Sequence, residues 1–208
     1  MMEEPGEQYA LDLCLDFSNT IDWRNGRNGK VPKDKLLDYG SLLNWSRDHA
    51  LFKDEEARRL GKLARESGKD KSSLRRAVEL RETIYRIFSA VADERKPGNR
   101  DLEVLSGLVS ESVARSRIVR AGDRFEWSLR GVEGEPDRML WPIARSAADL
   151  LTSDRLADIR ECANEEEGCG WLFLDTSKSH SRIWCSMDGC GNVAKARRYY
   201  EKHRKESD

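Results

Sequence analysis

The chain is poor in the residues that most catalytic chemistry uses. Of its 208 residues three are histidine and five are proline. No G-x-S-x-G, H-E-x-x-H or Ser-His-Asp order is present. Gly29-Lys30 is not set in a G-x4-G-K-[ST] phosphate loop. These absences point away from an enzyme. No apolar run approaches the ~20 residues of a membrane span. Met1 to Gly6 is acidic and lacks an apolar stretch, so no secretory signal is expected and the chain is placed in the cytoplasm. Neither charge sign is in excess: 37 Lys and Arg face 38 Asp and Glu.

What is present is a folded chain with an uneven distribution of charge. Mean hydropathy is -0.76 and the hydrophobic share is 38%. The aliphatic residues nevertheless recur periodically, which argues for a core over disorder. A chain of this length buries about 70% of its unfolded surface. Lys178 to Lys205 holds eight basic residues opposed only by Asp188 and Glu201. The rest of the chain is therefore net acidic. A basic end on an acidic body suits a polyanion, and a solvated helix face is the alternative.

Helical patterns dominate the first two thirds. Tyr9 to Asn19 fits either a helix or a strand, since Leu11, Leu13, Leu15 and Phe17 alternate while Leu11 and Leu15 also lie one turn apart. Trp23 to Lys33 reads as a Gly/Asn/basic loop. Leu36, Leu37, Leu42, Leu43 and Trp45 suggest a helix started by Asp34 or Asp38. Asp54 is placed to cap another, and Ser72 or Ser73 a third running to Val91 and ended by Lys96-Pro97-Gly98-Asn99. A fourth follows from Asp101. The period then changes to two: Arg117–Arg120 and Phe125–Leu129 flank Ala121-Gly122-Asp123 as a β-hairpin, followed by a turn over Gly131–Pro136. Met139 to Leu151 makes a last helix, with Pro142 near its first turn.

Five cysteines occur. Cys14 lies in an apolar run and reads as a buried small hydrophobe. The other four, Cys162, Cys169, Cys185 and Cys190, fall within 29 residues as C-x6-C, fifteen residues, C-x4-C. Without an export signal, disulfides explain this poorly, and a structural zinc site explains it well. Four thiolates complete a tetrahedral Zn²⁺ shell and leave no position for a reactive water, so the metal is structural. The segment needs such a staple. Its core-forming residues are few, and metal binding supplies about 10 kcal/mol of folding free energy. His180 and His203 lie in or beside this segment, but four sulfurs leave them no place as ligands. Trp171 and Trp184 are expected to pack around the metal, and Asp175 and Ser177 to cap a turn. After Cys190 a helix is expected to about Arg204, with Lys195, Arg198 and Lys202 on one face and Arg197 and Arg204 beside it. A basic helix launched from a metal ligand is one way to hold a helix against DNA. Arg182 and Lys195 flank the second cysteine pair and could also offset the 2- charge of a four-thiolate zinc.

The strings CGWLFLDTS (169–177), SRIWCSM (181–187) and CGN (190–192), with Lys195 following, resemble the CGNR zinc finger. LDFSNT (15–20), with Asp22 and Arg24 after it, resembles the opening of the ABATE domain that precedes this finger in similar proteins. The resemblance implies a bacterial stress-induced transcription regulator whose finger binds DNA. It departs in three places: Ile183 and Val193 stand where the family has arginine, and the first cysteine loop carries an added Glu165-Glu166-Glu167. Two cations are lost and three anions added, which weakens phosphate contact without touching the metal ligands.

The sequence thus predicts an α+β, mainly α, chain. A helical ABATE-like domain with a β-hairpin (1–155) precedes a four-cysteine finger ending in a basic helix (156–208). The metal ligands are Cys162, Cys169, Cys185 and Cys190. The nucleic-acid contacts are Arg182, Lys195, Arg197, Arg198, Lys202 and Arg204. Asp16, Asn19, Asp22 and Arg24 are candidates for an effector pocket, against a reading as helix capping and an Asp–Arg surface pair. DNA, a small-molecule effector and a second copy of the chain are the expected partners. A finger that serves as a protein–protein module, favoured by Ile183, Val193 and the acidic insert, is the competing reading.

Overall fold

The computed structural model describes residues 6–129 and 134–205. The first half of the predicted turn over Gly131–Pro136 lies outside them. The elements follow the order α1 (Gly6–Ser18), β1 (Ile21–Asp22), β2 (Lys33–Asp34), α2 (Tyr39–Asp48), α3 (Asp54–Glu66), α4 (Asp70–Ala92), α5 (Asn99–Ala114), β3 (Ser116–Ala121), β4 (Arg124–Leu129), α6 (Leu140–Leu151), β5 (Ile159–Glu161), β6 (Leu172–Leu174) and α7 (Asn192–Lys205). A mainly α domain leads into a small four-cysteine unit, as the sequence indicated.

The N-terminal ambiguity resolves as a helix. Leu13, Cys14 and Phe17 are buried where α1 packs against α4 and α6. Pairs three and four residues apart satisfy both neighbours at once, whereas an alternating strand would turn half of them to solvent. Cys14 is wholly buried, and burial pushes its thiol up to about 12, so it behaves as the small hydrophobe its sequence context suggested.

Helix α4 is the axis of the domain. Ala77, Leu80, Ile84, Ile87 and Phe88 are fully buried at three- and four-residue steps. It begins at Asp70, with Ser73 buried inside its second turn rather than capping it. Leu36 and Leu37 lie ahead of α2, because Asp38 closes a capping box with Ser41: the Asp38 carboxylate accepts from the Ser41 N–H at 2.7 Å and the Ser41 hydroxyl reaches back. Asp54 opens α3 as its first residue, where its charge meets the helix dipole.

Strands β3 and β4 form the expected hairpin, with Ile118 opposite Trp127 and Arg120 opposite Phe125. Gly122 takes φ +62° at the turn, a conformation that costs glycine nothing. Ile118, Phe125 and Trp127 are exposed on one face of this hairpin. The apolar core itself extends past residue 156. Ile159, Leu172 and Leu174, from the strand pair β5–β6, are buried in the same cluster as the helices.

Ile84→Ala should cost about 2–5 kcal/mol, as a cavity at the centre of a packed core does. Ile118→Ala on the open hairpin face should stay within about 0.5 kcal/mol. Urea denaturation of the two variants beside wild type, with zinc present, checks both.

Candidate metal centre

The four sulfurs are delivered by three local devices. Strand β5 runs into Cys162, whose N–H donates to the Trp171 carbonyl at 2.8 Å and so extends the β5–β6 pairing by one step. The chain then loops through Glu165–Glu167 to Cys169, where the Cys169 N–H returns to the Asn164 carbonyl at 3.2 Å. Beyond β6 the buried Asp175 accepts from the N–H and hydroxyl of Ser177 and from the Arg182 N–H, all within 2.9 Å, and so shapes the turn back towards the metal. The Cys185 N–H points at the Cys162 sulfur at 3.4 Å. A π-turn over Met187–Gly191, capped by the Ser186 hydroxyl, carries Cys190.

The result is four Sγ atoms within 4.8 Å of one another. Two of the separations, 3.7 Å for Cys169–Cys185 and 3.6 Å for Cys185–Cys190, approach the ~3.8 Å edge of a tetrahedron built on Zn–S bonds of about 2.3 Å. The donor set is all sulfur and closed, and Trp171 and Trp184 pack against it. Without a cation the sulfurs cannot all ionise. The Cys162 thiolate is held low by thiol hydrogen bonds from Cys169 and Cys185, and those two thiols are pushed up in return. The chemistry of the four donors therefore fits a structural zinc ion. His180 turns to Asp158 at 3.0 Å, outside the donor set.

The finger is anchored in the helical domain by contacts that sequence reasoning missed. The Asn19 side-chain amide pairs with the backbone of Leu172 in both directions, donating at 2.8 Å and accepting at 2.9 Å. It thereby stands in for a neighbouring strand. The loop between β1 and β2 lies against the first cysteine loop, with Arg24 N–H to the Cys169 carbonyl and Asn25 N–H to the Gly168 carbonyl at 3.2 and 3.0 Å. The approach is so close that a Cβ on Gly168 would meet the Gly26 nitrogen at 2.8 Å, and φ there is +67°. Glu161 of β5 accepts from Tyr85 and Ser89 of α4. The motif glycines hint at tight turns, but nothing local in the sequence pairs residue 19 with residue 172.

The candidate effector residues engage separate partners. Asp16 faces His49 at 3.7 Å, and the His49 ring nitrogen Nδ1 contacts the Trp45 carbonyl at the end of α2. Burial raises the Asp16 pKa above the ordinary carboxylate value. Asp22 pairs with Lys35 at 2.8 Å rather than with Arg24. Arg24 bonds Glu82 at 2.6 Å and the Ser18 carbonyl at 2.8 Å, and lies over the Tyr85 ring.

The described side chains among the candidate nucleic-acid residues divide into three groups. Lys195 and Arg198 are exposed on α7. Arg182 is held inside the finger, its guanidinium donating to the Trp184 and Cys185 carbonyls and lying over Phe173. Arg197 pairs with Glu166 and, at 3.0 Å, with Glu167 of the acidic insert. The side chains of Lys202 and Arg204 lie outside the described residues.

A mainly helical domain rooted to a closed four-sulfur finger defines the class: a zinc-stabilised two-part protein with a basic terminal helix. Residues 11–154 match the ABATE family, described as "Putative stress-induced transcription regulator", and residues 159–203 match the CGNR zinc finger. The chain belongs to the ABATE family and carries a CGNR finger with a structural zinc ion. No curated relative matches it.

Elemental assay of purified protein should find one zinc per chain, and Cys185→Ser should lower that content sharply. Asn19→Ala leaves the N–H and carbonyl of Leu172 unpaired, at about 1–3 kcal/mol for each group. Denaturant melts of that variant should show the loss, and competition with a chelator should show faster zinc release.

Proposed function

We propose that the protein is a cytoplasmic bacterial transcription regulator of the stress-response kind, not an enzyme, and that its finger binds DNA. One observation carries this reading. Helix α7 leaves the metal centre two residues after Cys190 and presents Lys195 and Arg198 to solvent. A four-sulfur anchor fixes the direction of that helix, so its cations form a fixed array rather than a mobile tail. Such cations bind phosphates and give affinity without base choice. Among the described residues no helix is long and apolar enough to cross a membrane.

Arg197 bears on how strong this binding is. Of its partners in the acidic insert Glu166 is exposed and Glu167 is 19% exposed, and the exposed pair contributes only about 0–1 kcal/mol. A phosphate can displace them, but the three carboxylates still lie beside the approaching backbone. Affinity should therefore be modest and strongly dependent on salt. The N-terminal domain is then the regulatory part, sensing a small molecule or mediating assembly.

A second reading has its own support. Ile183, Met187, Val193, Tyr199 and Tyr200 are all exposed on the finger and α7. That apolar and aromatic content suits contact with protein as well as with nucleic acid.

The deciding measurement is DNA affinity against salt concentration for wild type and for a Lys195→Ala, Arg198→Ala, Lys202→Ala triple variant. DNA binding predicts weaker affinity across all sequences and a salt slope reduced by up to about three phosphate contacts. Identical curves, with light scattering showing that mass depends on the finger, would instead establish the protein-contact reading.

A further inference from the structure

The connection between β1 and β2, residues 23–33, belongs to the helical domain but lies beside the finger. It holds Arg24, Arg27, Lys30 and Lys33 and no acidic residue. Arg24 is turned inward to Glu82 and the Ser18 carbonyl. Arg27, Lys30 and Lys33 are exposed. The backbone that carries them is fixed in place. The Arg24 and Asn25 N–H groups bond to carbonyls of the first cysteine loop, and the Asn28 side chain donates to the Glu166 carbonyl at 2.7 Å. The Gly26 and Lys30 N–H groups close turns on the Trp23 and Arg27 carbonyls, each at 2.9 Å. The exposed cations therefore project from a loop whose position against the finger is set.

The acidic insert lies between this loop and α7. On one side Glu165 faces Arg27 at 3.7 Å and Glu167 faces Lys30 at 3.9 Å. On the other, Glu166 and Glu167 hold Arg197. The Glu167 carboxylate meets Lys30 through one oxygen and Arg197 through the other. Arg198 lines the same shallow recess as Arg197 and Glu166. Cations from the two domains are thus neighbours on one surface, with the insert's carboxylates set among them. The two contacts to the loop are longer than the ~2.7–2.9 Å of a charge-assisted hydrogen bond, so they hold Arg27 and Lys30 loosely.

We propose that residues 23–33 supply a second part of the nucleic-acid surface, and that the acidic insert is its built-in competitor. Arg27 and Lys30 contact phosphates of the same duplex that α7 engages. The insert's carboxylates occupy these cations until the duplex displaces them. This rests on the DNA reading of α7 and extends the surface across both domains. Its physical ground is that affinity for a phosphate backbone grows with the number of cations that meet it at once. Helix α7 by itself exposes few: Lys195 and Arg198 among the described side chains, with Arg197 tied to the insert.

The test uses full-length, zinc-loaded protein and a mixed-sequence DNA duplex, read by fluorescence anisotropy over a range of salt. Arg27→Gln with Lys30→Gln should weaken binding about tenfold at low salt. It should also flatten the slope of log affinity against log salt by up to about 1.8, the loss of two phosphate contacts. Glutamine leaves the backbone bonds of the loop in place, and zinc content checks that the finger is intact. Arg27→Lys with Lys30→Arg should bind as wild type does, because phosphate contact needs the charge. Glu165→Gln, Glu166→Gln and Glu167→Gln together should tighten binding about threefold to tenfold and steepen the slope. Three results overturn the proposal: the Gln loop variant binds as wild type does, the charge-conserving swap binds as weakly as the Gln variant, or the insert variant binds no more tightly. If one of these occurs while the Lys195, Arg198, Lys202 variant still loses affinity, the DNA reading of α7 stands without the loop. A wild-type protein with no DNA affinity removes both.

Discussion

Four sulfur atoms gathered within 4.8 Å cannot all be thiolates unless a cation sits among them. The C-terminal quarter of the molecule depends on that constraint. With zinc bound, the repulsion becomes ligation, and the free energy released closes a segment with too few apolar residues to fold alone. Without it, hydrogen bonds among the thiols can satisfy only one ionised sulfur, and the turn that launches α7 loses its anchor. The direction of the basic helix is therefore a property of the metal site more than of the helix sequence.

The finger is not a separable bead. Ile159, Leu172 and Leu174 lie in the helical core, and Asn19 supplies the backbone partners that β6 would otherwise find in a third strand. The loop after β1 rests on the first cysteine loop through Gly168. Tyr85 and Ser89 of α4 grip Glu161 from the other side. Energy released on metal binding is thus shared with the helical domain, and any rearrangement of α4 or of the end of α1 acts directly on the strands beside the metal.

Charge on the finger is arranged in opposition. The acidic insert ties down Arg197 and reaches Arg27 and Lys30 of the N-terminal loop, at 3.7 and 3.9 Å. These exposed pairs add little stability. Their larger effect is on the field that α7 presents, which is less positive than its own sequence implies. Lys195 and Arg198 remain exposed, while Arg182 is turned inward to hold the chain between Trp184 and Cys185. A list of basic residues overstates how many face outward, because a guanidinium serves equally well as an internal clasp for carbonyls.

Much was legible before any coordinates. The four ligands, their closed all-sulfur chemistry, the hairpin and α4 follow from spacing and periodicity, since those patterns are local and each has few physical solutions, while the family relationship follows from the resemblance of the finger's motifs. Asp175 as a turn cap and Cys14 as a core residue are of the same kind. The end of α1 was not legible as a clamp for β6, nor Glu161 as the acceptor for Tyr85 and Ser89. Both depend on atoms brought together from distant parts of the chain, and side-chain burial exists only once the elements have packed. The sequence alone determined which atoms would bind the metal and where most of the helices, though not the first, would form. Tertiary structure decided which cations stay exposed and which polar groups find partners, because those are outcomes of competition for space and hydrogen bonds among residues that no spacing rule connects.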